Sequence, residues 1–256
     1  MAWQHEVVAF NTATESTNRM HDDAVAATFG FRGGLVPGVD VWAYLTRPCV
    51  DRWGLDFLAG GTMEARFLTP VYDGERVVCR LEDDGTLTAT GPDGTVRAQG
   101  RAGMDEQPPP REVEAADVPD PVPPVEADLL APGTVLGTLH LHHGADAGAQ
   151  YLADVSETSD VYGGGALAHP GFLARQANHS LSNSVRLGPW IHVSTRARHR
   201  SVVHDGELVE VRGVVTDERE HKGHRFVDLD VEITADGRPV WSAAHTAIWR
   251  PRRDRA

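Results

Sequence analysis

The sequence predicts an α+β protein built from two copies of one unit, each an antiparallel sheet wrapped around a central helix. Three observations predict it. First, the chain repeats its landmarks. Gly34-Leu35-Val36-Pro37-Gly38, an apolar helical run, a strand-like run and Asp73-Gly74-Glu75 return as Gly165-Ala166-Leu167-Ala168-His169-Pro170-Gly171, the same parts in order and Asp205-Gly206-Glu207. Second, the interval between the Pro-Gly and Asp-Gly-Glu landmarks differs by a single residue between the copies. That marks a duplicated folding unit rather than a solenoid of short repeats. Third, each copy places one long helical pattern ahead of short strand patterns separated by turn residues, and a sheet that wraps the helix buries it on most sides.

In chain order, residues 2–10 alternate weakly and read as an entering strand, and 11–20 read as a polar loop. Asp22 or Asp23 opens a short Ala-rich helix that stops at Gly30, an acidic start and a glycine end. Val39 to Trp53 carries apolar residues at helical spacing, with a kink or break expected at Pro48. Four strands follow at about 62–70, 75–83, 86–91 and 95–103, with turns at Asp73-Gly74, Asp84-Gly85 and Asp93-Gly94. Residues 105–127 hold Pro108, Pro109, Pro110, Pro119, Pro121, Pro123 and Pro124 among acidic residues, which predicts a semi-rigid extended linker. The second copy restarts near Thr134, with a strand over Thr138–His142, an overhang over 146–165 and a helix from Gly171 to Asn183. Its strands fall near 190–201, 207–217, 224–234 and 239–249. The division is therefore 1–104, a linker 105–127, and 128–256. Each half has the hotdog arrangement, and the whole is a double hotdog.

Composition narrows the function. Of the 256 residues, 41% are hydrophobic and 24% charged, as in ordinary globular proteins. A formal charge of −13 repels phosphate backbones and argues against nucleic-acid binding. Arg196, Arg198 and Arg200 still form a candidate local patch for an anionic small molecule. Cys49 and Cys79 lie in apolar stretches and read as buried thiols, with a disulfide as the alternative. The first residues lack a signal-peptide pattern, and no apolar run approaches the roughly 20 residues that span a bilayer. The expectation is a cytoplasmic protein without a membrane partner.

The stretch Ser16-Thr17-Asn18-Arg19-Met20-His21, then Gly30-Phe31, then Val36-Pro37-Gly38 resembles the hydration motif of MaoC-like (R)-specific enoyl-CoA hydratases. That motif reads Asp-x-Asn-Pro-apolar-His, then Gly-Phe, then a proline and a His-Gly pair that opens the central helix. The resemblance implies reversible addition of water across the double bond of an acyl thioester, carried by CoA or a carrier protein, with no cofactor. It implies an Asp and a His that activate the water, and a helix-start glycine whose N–H holds the thioester oxygen. The family His falls on His21, the Asn on Asn18 and the glycine on Gly38. Ser16 stands in place of the Asp, Arg19 in place of the Pro and Pro37 in place of the His. The gap from His21 to Gly30 is one residue shorter than in the family. The fold resemblance spans nearly the whole chain, and pairing of the two halves within one chain leaves a further homodimer open.

The candidate catalytic residues are thus His21, Asn18, Ser16 and Gly38. A histidine exchanges protons near neutral pH. Ser16, or the adjacent Glu15, would orient water where the carboxylate is missing. A helix start offers unpaired N–H groups and a positive dipole end to a developing oxyanion. Pro37, Phe31, His169, Gly171 and Tyr162 are candidate substrate-binding residues. His169-Pro170-Gly171 occupies the matching place in the second copy. The interval from His21 to Gly38, counted back from Gly171, lands on Asp154, so a composite site with His169, Asp154, Arg175 and Asn178 is one expectation. A degenerate second copy that only shapes a tunnel is the other. A thioesterase is an alternative activity and would use Asp40 or Glu64, although Asp40 in the first turn also complements the helix dipole. A double hotdog that only binds an acyl group or another small molecule is a further alternative. His140, His142 and His143 lack partners that would complete a metal set. Gly163-Gly164-Gly165 lacks the Lys-Ser/Thr of a phosphate loop.

Overall fold

The computed structural model describes residues 2–106 and 108–252. The first copy contains β1 (Trp3–Val8), a short helix α1 (Asp23–Ala27), the central helix α2 (Gly38–Trp53), and α3 (Leu55–Gly60). Its remaining strands are β2 (Thr62–Phe67), β3 (Arg76–Leu81), β4 (Thr86–Thr90) and β5 (Val96–Gly103). The second contains β6 (Leu139–His142), α4 (Ala145–Asp154), the central helix α5 (Pro170–Ser184), β7 (Ile191–His199), β8 (Leu208–His221), β9 (His224–Ala235) and β10 (Arg238–Arg250).

The strand order is β1-β3-β4-β5-β2-β7-β10-β9-β8-β6. The order within the second copy mirrors that of the first, so the duplication read from the landmarks is a duplication of topology. The copies meet edge to edge through antiparallel β2 and β7, with Met63 opposite Ala197 and Ala65 opposite Thr195. The two expected sheets are therefore one continuous sheet of ten strands.

Period-2 burial explains the strands. Val77, Cys79 and Leu81 of β3 point inward, as do Val227, Leu229, Val231 and Ile233 of β9. The Asp-Gly turns hold because Gly85 and Gly94 take positive φ of 85° and 77°. Helices α2 and α5 pack against each other under the sheet. α2 buries Val39, Val41, Trp42, Tyr44 and Leu45 on several faces at once, as a helix enclosed by a sheet must.

Some expectations are corrected. Pro48 does not break α2, which continues to Trp53 with Leu45, Cys49 and Val50 around it buried in the core. The segment over 146–165 contains a full helix, α4. Helix α3 was not anticipated and sits where the first copy turns into β2. The linker is laid on the second copy. Arg212 donates to the Val113 carbonyl, Thr138 N–H donates to Ala116 O, and Arg186 N–H donates to Pro123 O. Gln107 of that linker, with Met1 and 253–256, lies outside the described residues. Cys49 and Cys79 are both free and buried. Among the described residues no helix is long and apolar enough to cross a membrane.

Candidate active site

The site forms where the polar loop after β1 crosses the start of α2. Asn18 anchors the loop. Its Oδ1 accepts from the N–H groups of Met20 and Trp190, at 3.2 and 3.1 Å, and its Nδ2 donates to Trp190 O at 3.0 Å. These bonds tie a loop of the first copy to the entry of β7 in the second. They also fix the amide orientation, so it is Nδ2 that faces His21 Nε2 at 3.2 Å. His21 Nδ1 lies 2.6 Å from Leu35 O. A carbonyl only accepts, so Nδ1 carries the proton and Nε2 holds the lone pair that accepts from Asn18 Nδ2. Burial pulls His21 below the usual histidine value, opposed by the Leu35 carbonyl and the nearby Asp40 charge. The ring is neutral at pH 7 and carries its base on the nitrogen away from Leu35.

Two cavities meet at this ring. One, of about 360 Å³, is mostly apolar, walled by Met20, Phe31, Leu35, Phe67, Phe226 and Ile248 together with Gly38 and His192. The other, of about 330 Å³, is mixed, with Thr12, Glu15, Ser16, Arg175, His179 and Ser182 among its walls. Asn18, His21, Pro37, Asn178 and Trp190 line both. Asn178 presents a buried Oδ1 with no hydrogen-bond partner among the described residues.

Helix α2 begins at Gly38 behind Pro37, which offers no side-chain cap. The Asp40 and Val41 N–H groups bond to Pro37 O, and the Gly38 N–H has no acceptor among the described residues. A Cβ on Gly38 would stand 2.7 Å from His192 Nδ1, so only glycine leaves this edge of the cavity open.

The first-copy candidates Asn18, His21, Phe31, Pro37 and Gly38 thus converge on one place. Ser16 is close but oriented differently: its Oγ accepts from Asn18 N–H at 3.1 Å and so shapes the loop. The second-copy candidates are placed elsewhere. His169 is 2% exposed, and its Nδ1 accepts from Gly171 N–H at 2.9 Å, which closes the matching helix start. Tyr162 is fully buried against the His169 ring, 4.7 Å between centroids. A Cβ on Gly171 would meet Tyr151 Oη at 2.2 Å. Asp154 ends α4 and accepts from Gln150. Arg175 and Asn178 project to the first-copy site instead, because α5 runs alongside α2.

The remaining candidates are engaged elsewhere. Asp40 is fully buried and accepts from Thr12 Oγ1 at 2.6 Å and Arg175 Nη2 at 2.8 Å. Burial raises its pKa, and the Arg175 guanidinium opposes the rise. Glu64 is exposed on β2, in outer grooves with Arg101 and Arg196. Arg198 shares one of these grooves with Asp83, Asp84 and Asp105, and Arg200 bonds Ser242 and Pro108 O. His140, His142 and His143 bond separately to Glu210, Gly206 O and Gly165 O.

His192 was missed by sequence reading. A β-bulge at Val193 shifts the register of β7 against β10. His192 therefore points inward together with Thr195, Ala197 and His199, which strict alternation forbids. The signal was available only as a broken parity in β7.

No family model matches the sequence, and no curated protein matches it. Solved structures do match. A Mycobacterium tuberculosis protein with a double hotdog fold superposes with TM-score 0.68 at 15% identity, over 97% of this chain and 94% of that one. A protein of Chloroflexus aurantiacus described as a MaoC domain dehydratase gives 0.65 at 14%, over 98% and 95%. A Lactobacillus plantarum protein described as an oleoyl thioesterase gives 0.60 at 10%, over 100% and 98%. The chain has the double-hotdog fold of MaoC-like proteins. That fold also carries proteins described as thioesterases.

Proposed function

We propose that the protein adds water to, or removes it from, an acyl thioester of the 2-enoyl/3-hydroxyacyl type, using the site in its first copy. The observation that carries this reading is His21: a neutral imidazole whose lone pair is held at the junction of an apolar cavity and a mixed one, with an uncapped helix start on the same wall. The acyl chain occupies the apolar cavity. The thioester oxygen lies at Gly38 N–H, where the helix dipole favours negative charge. A water between His21 Nε2 and Asn178 Oδ1 replaces the long 3.2 Å contact from Asn18. Nε2 takes a proton from this water and the hydroxide adds to Cβ. The electron pair of the double bond moves onto the thioester oxygen as an enolate. The proton on Nε2 then returns to Cα, so one water is consumed and no other reagent is needed. Asn18 positions the ring, and Asn178 supplies the acceptor that the family's Asp would otherwise give.

Thioester hydrolysis through a helix carboxylate fits less well. Asp40 is sealed in an ion pair with Arg175, and Glu64 faces an outer groove. The test is to mix the protein with trans-2-enoyl-CoA substrates from C4 to longer chains and follow loss of the enoyl absorbance. Turnover without release of free thiol supports hydration. Free thiol release, or no turnover by folded protein on any chain length, overturns it.

A further inference from the structure

His192 is buried, 7% exposed, yet it lines the apolar cavity and its Nδ1 has no hydrogen-bond partner among the described residues. The other ring nitrogen is tied down. Nε2 lies 2.7 Å from Thr195 Oγ1, and Thr195 Oγ1 lies 2.8 Å from His245 Nδ1 on the facing strand β10. The two imidazoles stack with centroids 4.2 Å apart. Burial, with His245 beside it, holds His192 well below the usual histidine range against a weaker opposing contact with the Ser194 backbone, so the ring stays neutral and has one N–H.

Thr195 has a single hydroxyl proton, and when that proton goes to one of the two rings, two arrangements follow. If Thr195 donates to His245, then His192 Nε2–H donates to Thr195, and the spare N–H falls on His245 Nε2. That atom is buried, unpartnered and away from the described cavities. If Thr195 donates to His192 Nε2, His245 Nδ1–H donates to Thr195, and the spare N–H falls on His192 Nδ1. A buried donor left without an acceptor costs about 1–3 kcal/mol. Only the second arrangement puts that donor where a ligand oxygen can reach it. The position is specific: Nδ1 would stand 2.7 Å from a Cβ on Gly38, beside the helix-start N–H that is also unpartnered.

We propose that His192 Nδ1–H is a second hydrogen-bond donor to the thioester oxygen, pairing with Gly38 N–H to form a two-donor oxyanion site built from both copies. The inference rests on the acyl-thioester reading above and adds the residue that polarises the carbonyl. A neutral imidazole suits the role because it donates without giving its proton away. Thr195 and His245 act as positioning residues that select the tautomer.

The test uses the whole protein and a saturated thioester, butyryl-CoA labelled with ¹³C at the carbonyl, which binds without reacting. Wild-type protein should shift the carbonyl resonance downfield on binding. His192→Leu should bind the ligand with that shift largely lost, and His192→Asn, whose amide nitrogen stands near the place of Nδ1, should regain much of it. On enoyl-CoA, His192→Leu should lower kcat about 10²–10³-fold with little change in KM, the usual cost of one oxyanion donor. A carbonyl shift unchanged in His192→Leu overturns the proposal while leaving the acyl-thioester reading intact. A bound ligand whose carbonyl does not shift in the wild type does the same. Failure of the wild type to bind any acyl-CoA overturns both.

Discussion

The two helix starts are the same structure put to opposite uses. In the second copy His169 caps α5, accepting the Gly171 N–H, and Tyr151 and Tyr162 fill the space in front of it. In the first copy Pro37 cannot cap, Gly38 leaves its N–H unpaired, and a cavity of about 360 Å³ opens there. One substituted position, Val36 where the second copy has His169, separates a candidate anion site from a sealed helix end. The lesson is that duplication supplies a spare copy, and packing decides which copy keeps an opening. The filled copy also serves the open one, because Arg175, Asn178 and His192 all come from the second half.

The largest expected effect concerns the join between the copies. Arg175→Met leaves Asp40 buried without its cation and should cost about 3–5 kcal/mol, read by chemical denaturation. The matching position to Asp40 in the second copy is Leu173, and the double variant Asp40→Leu/Arg175→Met should recover most of the loss. Next, Gly171→Ala must push a methyl against Tyr151 and Ala43 and should cost about 1–3 kcal/mol through overpacking. Gly38→Ala meets only the His192 side chain, so it should cost less stability but abolish turnover. A smaller effect follows from His169→Ala, which removes a cap worth about 1 kcal/mol and should lower the Tm without touching turnover.

The most gradual effect is on pH. Burial holds His199 and His245 down at about 3, and lowers His169 and His192 as well. Their folded values lie below the unfolded value near 6.5, so the unfolded chain binds protons first. Their contribution is complete above pH 6.5 and is lost as pH falls from 6.5 toward 3. The Tm should decline steadily across that window. A flat Tm there would mean that these rings are solvated.

Much of this was legible in the chain. The paired Pro-Gly and Asp-Gly-Glu landmarks located both helices and the strand runs, because turn chemistry and apolar periodicity act locally. Asn18, His21 and Gly38 were singled out by another route, resemblance to a family motif, and the structure places all three on the wall of one cavity. What stayed hidden depends on long-range packing. His169 looked like a site residue in sequence, yet its position two residues before Gly171 lets it close the helix it precedes. Asn178 was expected beside His169 and instead lines the same two cavities as His21, since only the packing of α5 on α2 determines its neighbours. His192 was lost to a bulge that no periodicity rule registers. Pro48 failed as a helix breaker because tertiary burial overrides local preference.

The central claim is that the chemistry resides in the first copy, on His21. The most direct test compares His21→Ala with His169→Ala in hydration of a trans-2-enoyl-CoA that the wild type turns over, with folding checked by circular dichroism. The account predicts that His21→Ala lowers kcat/KM about 10²–10⁴-fold, while His169→Ala keeps wild-type turnover despite its lower Tm. Wild-type turnover in folded His21→Ala, or loss of turnover in folded His169→Ala, would contradict it.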